Sequence, residues 1–306
     1  MNKFYIIGTL ILALIGLRAI DPFPIESMRL KTFDYFISTL PNIGDENILL
    51  VDIDDDSLQQ LGQWPWPREV FCQFLGPGVT GFSVLFPEKD RFGGDKNLAK
   101  CIKKNTVVVS AAASNADSAG KPPHVGTSSI GEDPKPFLFS YKGVLNNVDR
   151  IEEAAIGNGV TSTAPEVDNL VRRLPLVFNI NDTLYPSFGL EVLRAAADAK
   201  SYTLKTNKTG IEALRVKGLP VITTDPNARV WATWNTRFTR ISAKDYVEKA
   251  ADYPIVLLGV TARGASTLVA TPDGLKAPHE IQAAAISTLL QGKNIARPDW
   301  ADGAEI

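Results

Sequence analysis

The chain has 306 residues, a net charge of -2 and a 44% share of hydrophobic residues, which is ordinary for a globular protein. This length suits one large domain or two modest ones. A nearly neutral charge without a long basic run argues against nucleic acid as the main partner.

An apolar segment, Phe4–Leu17, opens the chain. It is short for a membrane span and about right for the core of a signal peptide, but Arg18 stands where small residues would mark a cleavage site. With Arg18 snorkelling, residues 1–20 can just cross a bilayer. We therefore predict an uncleaved transmembrane anchor in the cell inner membrane, with residues 21–306 on the periplasmic side. A cleaved signal peptide and a buried helix are the alternatives.

Helix and strand patterns alternate through the first half of the chain. The predicted elements, in order, are an amphipathic helix over residues 25–40, a buried strand over 48–53, a helix over 67–75, a strand over 79–86, a helix beginning at Asp95 and a strand over 107–109. This order predicts an α/β fold with a mostly parallel or mixed sheet and flanking helices, preceded by the membrane helix.

The second half continues the mixed pattern after a polar segment, residues 116–136, that is typical of a long loop. The predicted elements are a strand within residues 170–179, a helix over 186–199, hairpins over 202–216 and 221–234, a helix beginning at Ser242, a strand over 255–260 and a helix over 280–290. No internal repeat or change in composition divides the chain, so residues 21–306 are expected to form one domain.

Two pairs of residues raise local questions. Cys72 and Cys101 are too few for a disulfide framework or a four-ligand zinc site. They could form one bridge in an oxidising compartment, but we expect two unpaired, buried thiols. Arg172 and Arg173 beside Asp168 are typical of a surface ion pair, with an anion site as the alternative.

A cluster of acids follows the first predicted strand. The order Asp52-Ile53-Asp54 resembles the nucleophile motif of the haloacid-dehalogenase phosphatases, in which a first carboxylate attacks phosphorus, a second is the acid/base and Mg²⁺ bridges them. That motif has Thr or Val four residues after the first Asp, where this chain has Asp56. An exported, membrane-anchored, metal-dependent hydrolase using Asp52 and Asp54 is therefore the alternative function.

A structural role fits the same stretch better. Asp55 or Asp56 can cap a short helix that Gly62 ends. Trp64 and Trp66 then pack over the sheet edge, their backbone stiffened by interleaved prolines, and the arginine behind them pairs with an acid of the cluster. This interpretation assigns no catalytic residue and no metal ligand.

Four blocks of the sequence resemble the CHASE2 family of extracytoplasmic sensor domains. They are MRLKTFD at 28–34, ILLVDIDDDSLQQLGQWPWPRE at 48–69, VDNLVRRLPLV followed by YPSFGLEVL at 167–177 and 185–193, and PIVLLGVTARG followed by EIQAAAISTLLQGKNIARPDW at 254–264 and 280–300. The block of tryptophans and prolines is the most specific. Together the four blocks span most of residues 25–300.

The resemblance implies the signal-input domain of a membrane-anchored bacterial receptor. Such a domain has no catalytic residues and no cofactor, answers a small-molecule or environmental stimulus, and acts allosterically as a homodimer on a cyclase or kinase output outside this chain. The candidate ligand-binding residues are Asp52, Asp54, Trp64, Trp66 and Arg68.

Overall fold

The computed structural model describes residues 3–118, 120–248, 253–292 and 295. The helices are α1 (Lys3–Ile20), α2 (Phe23–Ser38), α3 (Asp55–Leu61), α4 (Asp95–Lys103), α5 (Asp149–Glu152), α6 (Phe188–Ala196) and α7 (Pro278–Gln291), with 3-10 helices at Arg68–Phe74, Lys135–Phe137 and Ala243–Glu248. The strands are β1 (Ile43–Ile53), β2 (Val79–Phe82), β3 (Thr106–Ser114), β4 (Thr127–Gly131), β5 (Ser140–Tyr141), β6 (Gly143–Leu145), β7 (Gly157–Val160), β8 (Arg173–Pro175), β9 (Val177–Ile180), β10 (Thr183–Pro186), β11 (Tyr202–Asn207), β12 (Gly210–Val216), β13 (Ile222–Thr223), β14 (Arg229–Trp231), β15 (Thr236–Ser242), β16 (Ile255–Val260), β17 (Val269–Thr271) and β18 (Gly274–Lys276).

The main sheet has seven strands in the order β15-β1-β16-β2-β3-β6, and β7 also pairs with β3. Every pairing in it is parallel except that between β3 and β6. The predicted α/β class with a mostly parallel sheet is therefore confirmed. Parallel strands end at the same edge of a sheet, so the carboxyl ends of β1, β15 and β16 lie side by side.

Side chains along β1 alternate between the two faces of this sheet. Leu49 and Val51 belong to a core shared with the 3-10 helix Arg68–Phe74 and α4. Ile48 and Leu50 belong to a second core shared with α6 and α7. Because helices cover both faces, the sheet is the middle of three layers, as parallel sheets require.

A smaller four-stranded sheet, β13-β12-β11-β4, packs its apolar side chains into the core around α6. The predicted hairpin over 202–216 is confirmed, since β11 and β12 pair in antiparallel fashion. Two expectations are wrong here. The expected loop over 116–136 contains β4, which pairs with β11, and the expected hairpin over 221–234 is split between β13, which pairs with β12, and β14, which pairs with β8.

Two predicted helices take the tighter 3-10 form, at Arg68–Phe74 and at Ala243–Glu248. The predicted strand over 79–86 stops at Phe82. The predicted helices over 25–40 and 280–290 are confirmed as α2 and α7, and Gly292 ends the latter in a left-handed conformation.

At the N-terminus, α1 leaves its large apolar side chains exposed: Phe4 is 84% and Leu12 71% exposed. No single helix among the described residues has both the length and the apolar character needed to cross a membrane, although α1 and α2 meet that criterion together as a pair bent by 72°. The predicted membrane anchor is thus not confirmed and stays a prediction.

The expectation that the two cysteines are unpaired, buried thiols is wrong. Cys72 and Cys101 form a disulfide, with their Cα atoms 5.7 Å apart, and neither side chain is fully buried. The bridge ties the 3-10 helix Arg68–Phe74 to α4 on one face of the main sheet. It closes a loop with a sequence separation of 29 residues.

Removing this bridge should weaken the fold. Closing a loop of this size removes enough entropy from the unfolded state to stabilise the native state by about 3.5 kcal/mol. The double variant Cys72→Ser/Cys101→Ser should therefore lose about that much free energy of unfolding in chemical denaturation. Wild-type protein measured in a strong reductant is the control and should match the variant. Unchanged wild-type stability on reduction would contradict the prediction.

Candidate functional site

Asp52 lies at the carboxyl end of β1, between β15 and β16. Its carboxylate accepts two hydrogen bonds from Arg240 of β15, from Nε at 2.9 Å and from Nη2 at 3.0 Å. It also accepts one from Nε2 of His279, at 2.8 Å. Arg240 in turn donates from Nη1 to Glu280 at 2.6 Å. We call these four residues the Asp52 cluster. It joins β1, β15 and the first turn of α7 by charged hydrogen bonds.

His279 is fully buried at the start of α7. A carboxylate only accepts hydrogen bonds, so Nε2 carries the ring proton when the imidazole is neutral, and Nδ1 is then an acceptor. No hydrogen-bond partner for Nδ1 is found in the described part of the chain. Gly259 at the end of β16 makes room for the ring, since a Cβ there would lie 2.1 Å from Nδ1. Only glycine at this position lets the histidine reach Asp52.

Burial raises the pKa of Asp52, but the hydrogen bonds from His279 and Arg240 outweigh burial, so its pKa is lowered overall. A carboxyl with a lower pKa in the folded protein contributes stability above its unfolded pKa of about 3.9 and loses it as the pH falls through the folded value. The Asp52 cluster is therefore a source of acid-sensitive stability.

The lowered pKa of Asp52 predicts how the stability of the protein depends on pH. The free energy of unfolding of the wild type should fall as the pH is lowered from about 5 towards 2, and it should fall less steeply in Asp52→Asn. Chemical denaturation at a series of pH values measures both slopes. The exposed Asp117 supplies a control, because Asp117→Asn should keep the wild-type slope. Parallel profiles for wild type and Asp52→Asn would contradict the prediction.

Asp54 has separate partners from Asp52. It is the N-cap of α3 and accepts hydrogen bonds from the Ser57 amide at 2.8 Å and from the Ser242 hydroxyl at 2.8 Å. Burial raises its pKa, but hydrogen bonds from Ser57 and Ser242 lower it overall. The cap is thus Asp54, and the expectation of Asp55 or Asp56 is wrong, because α3 begins one residue earlier than that expectation required. Gly62 ends the helix as predicted.

The other two acids of the 52–56 segment, Asp55 and Asp56, lie in separate ion pairs at the surface. Asp55 lies 3.6 Å from Nε of Arg263 and accepts a hydrogen bond from the backbone amide of the same residue at 3.0 Å, and Asp56 accepts from Lys244 at 2.7 Å. No group of three or more metal-ligating side chains is found among the residues that the structure describes. The two carboxylates of the hydrolase hypothesis, Asp52 and Asp54, hold different partners and gain no geometric support as a catalytic pair.

The tryptophan and proline block is a structural corner. Trp66 is 1% exposed and donates from its indole nitrogen to the Gly62 carbonyl at 2.7 Å. Its ring stacks on Phe74 at 6.1 Å between centroids and meets Phe71 at 6.1 Å. Trp64 covers it edge-on at 5.7 Å. Both tryptophans therefore pack on the sheet as predicted.

Arg68 corrects another expectation, since it does not pair with an acid of the 52–56 cluster. Its guanidinium lies 4.5 Å from the centre of the Phe86 ring and 3.4 Å from the Asp95 carboxylate, and it donates to the Glu88 carbonyl at 3.1 Å. The 3-10 helix that begins at Arg68 directs the side chain towards α4 instead of back towards α3.

Apart from Asp54, which caps α3, the candidate ligand residues divide between the two faces of the main sheet. Asp52 is engaged with α7, whereas Trp64, Trp66 and Arg68 belong to the face covered by α4. All have partners within the protein. A ligand role for them stays a prediction.

A second charged site connects α2 to the body of the protein. Arg172 is 1% exposed and donates to Asp34 of α2 from Nε at 2.8 Å and from Nη2 at 2.7 Å. It also donates to Asp168 from Nη1 at 2.7 Å and from Nη2 at 2.8 Å. We call these three residues the α2 clamp. The expected ion pair between Arg172 and Asp168 is therefore confirmed, but its expected position at the surface is wrong, because α2 covers the guanidinium.

The charges of the clamp stabilise each other. Burial lowers the pKa of Arg172, but its hydrogen bonds to Asp168 and Asp34 outweigh burial and raise it. The hydrogen bonds from Arg172 lower the pKa of Asp168. Beside the clamp, Phe33 of α2 meets Trp231 at 4.5 Å between ring centroids, and Leu30 of α2 is buried. These contacts fix α2 against the body.

The sequence alone did not identify Arg240, His279 or Asp34 as partners in these two sites. Arg240 lies on β15, for which the sequence pattern predicts no strand, although its Thr, Phe and Ile residues favour one. His279 and Asp34 are brought to their partners across sequence distances of 227 and 138 residues. No local signal marks such pairs.

Comparison with known proteins then supplies the family. A family model described as the CHASE2 domain matches residues 9–306, essentially the whole chain. No curated protein and no solved structure matches. The match contains every residue of the Asp52 cluster and of the α2 clamp. The chain belongs to the CHASE2 domain family, a family of sensory domains.

Proposed function

We propose that this chain is the extracytoplasmic sensory domain of a membrane-anchored bacterial receptor, held in the cell inner membrane by residues 1–20. The family supports the sensory role. The exposed apolar surface of α1 supports the anchor. The Cys72–Cys101 disulfide supports an exported location, because such bonds persist in oxidising compartments and are rare in the cytosol.

The α2 clamp is the observation that carries the proposed mechanism. Arg172 fastens α2 to the sensory body, and α2 follows α1 after only two residues. A small-molecule or environmental stimulus that changes how α2 docks would therefore move α1. In a homodimeric receptor this two-state shift would reach a cyclase or kinase output outside the chain.

The location can be tested on the whole protein. The chain should sediment with membranes, resist extraction by high salt, and be digested by protease added to the periplasmic side. Mass spectrometry should find the original N-terminus. A soluble product that begins near Asp21 would contradict the anchor and favour a cleaved signal peptide.

The signalling role can be tested by attaching a membrane span and a cyclase domain after the chain and measuring cyclic nucleotide in cells. Arg172→Met should change the basal output at equal expression. Arg237→Met is the matched control, since Arg237 forms its exposed ion pair with Asp273 and not with a residue of α2. Equal output from both variants and the wild type would argue against α2 as the transmitting element.

A further inference from the structure

The outer face of α2 is apolar and has no partner in the described structure. The residues on this face recur at the spacing that places side chains on one side of a helix. They are Met28, Thr32, Tyr35, Phe36 and the C-cap residue Thr39. Met28 is 69%, Tyr35 66% and Phe36 62% exposed. None of the five side chains is charged. The clamp residue of α2 faces the other way, into the body of the protein.

The hydroxyl groups of both threonines on this face have hydrogen-bond acceptors within the chain. Thr32 donates its hydroxyl to the Met28 carbonyl at 2.8 Å, and Thr39 donates to the Phe36 carbonyl at 2.7 Å. Such bonds within a helix are the way hydroxyl groups are accommodated where water is excluded. The two threonines can therefore leave water without an unpaired hydrogen-bond donor, and the Tyr35 hydroxyl is suited to the polar headgroup level.

The position of α2 indicates what covers it. It directly follows the exposed apolar α1, and the two helices are bent by 72°. If α1 crosses a bilayer near the normal, α2 runs nearly parallel to the membrane surface. The exposed Lys31 lies at the side of the apolar face, where a basic residue meets anionic headgroups.

We propose that the outer face of α2 lies in the headgroup and acyl boundary of the same bilayer, so that the sensory body rests on the membrane through α2. The proposal rests on the proposed anchoring by α1. Helices with an aromatic and aliphatic face and flanking basic residues bind this region of a bilayer. Here the opposite face of α2 does not face water, because the α2 clamp binds it to the body of the protein.

Nitroxide labels on the full chain in phospholipid nanodiscs test this. Both native cysteines are in the disulfide, so a single introduced cysteine is the only free thiol. Tyr35→Cys and Phe36→Cys report on the proposed face. Phe92→Cys and Val221→Cys are matched controls, because these apolar side chains are each 62% exposed elsewhere. The ratio of collisions with oxygen to collisions with a water-soluble nickel complex should be severalfold higher at 35 and 36 than at the controls.

Two outcomes would overturn the proposal. Equal ratios at all four positions would place the face in water. Poor access to both reagents, together with dipolar broadening between labels, would show that a second copy of the chain covers it. Loss of the anchor is seen separately, since the chain would then elute apart from the nanodiscs, and both the anchoring and this contact would be refuted.

Discussion

Replacing Arg172 by methionine should destabilise the protein by about 3 kcal/mol. Methionine keeps most of the volume of the side chain but leaves two carboxylates, Asp34 and Asp168, without their shared cation. Breaking a buried ion pair from one side costs about 3–5 kcal/mol, and the lower end applies because Asp34 retains 19% exposure. Chemical denaturation of the full chain in detergent micelles, followed by circular dichroism, measures the loss.

Arg237→Met gives the comparison for that measurement. The same substitution then removes an arginine whose side chain is 51% exposed and whose partner is Asp273. Exposed ion pairs contribute little, so this variant should stay close to the wild type. If both variants lost the same amount, the stability would come from the arginine stem and not from the buried charges.

Replacing Trp66 by alanine should cost about 3–5 kcal/mol, the range for deleting a large buried aromatic side chain. The ring lies among Trp64, Phe71 and Phe74, so the cavity would open in the centre of the core beneath the 3-10 helix. The variant would also lose the hydrogen bond to the Gly62 carbonyl. The same denaturation experiment measures this change.

Trp64→Ala is the matched control for Trp66→Ala. Trp64 is only partly buried and covers the edge of Trp66, so its removal should cost clearly less. The opposite ranking would show that the outer tryptophan, not the inner one, holds the corner.

The sequence predicts the layered part of the fold well because its signals are local. The apolar run of β1 and the apolar side of α7 each predict a buried element from a few neighbouring residues. The sequence likewise predicts that the tryptophans around Trp66 pack on the sheet. Neighbouring prolines stiffen their backbone, and their large aromatic rings favour burial. Short strands such as β13 and β14 were misassigned, because their partners are chosen by tertiary contacts that no local pattern records.

The sites were harder to predict than the fold. Asp52 was singled out for its neighbours in sequence, but its chemistry is set by Arg240 and His279, which arrive from distant elements. Arg172 was expected at the surface because charged residues usually lie there. Its burial depends on α2 folding back over it, and the sequence of α2 indicates an amphipathic helix without indicating where it docks.

The α2 clamp has an uneven stoichiometry: one guanidinium serves two carboxylates. If α2 detaches, Asp34 moves into water with the helix, while Arg172 keeps Asp168 as its counterion. Neither side is left with a buried, unpaired charge, which is the most costly product of breaking an ion pair. A one-to-one ion pair would lack this second acid. The α2 clamp is therefore suited to releasing and rebinding α2 repeatedly, as well as to holding it.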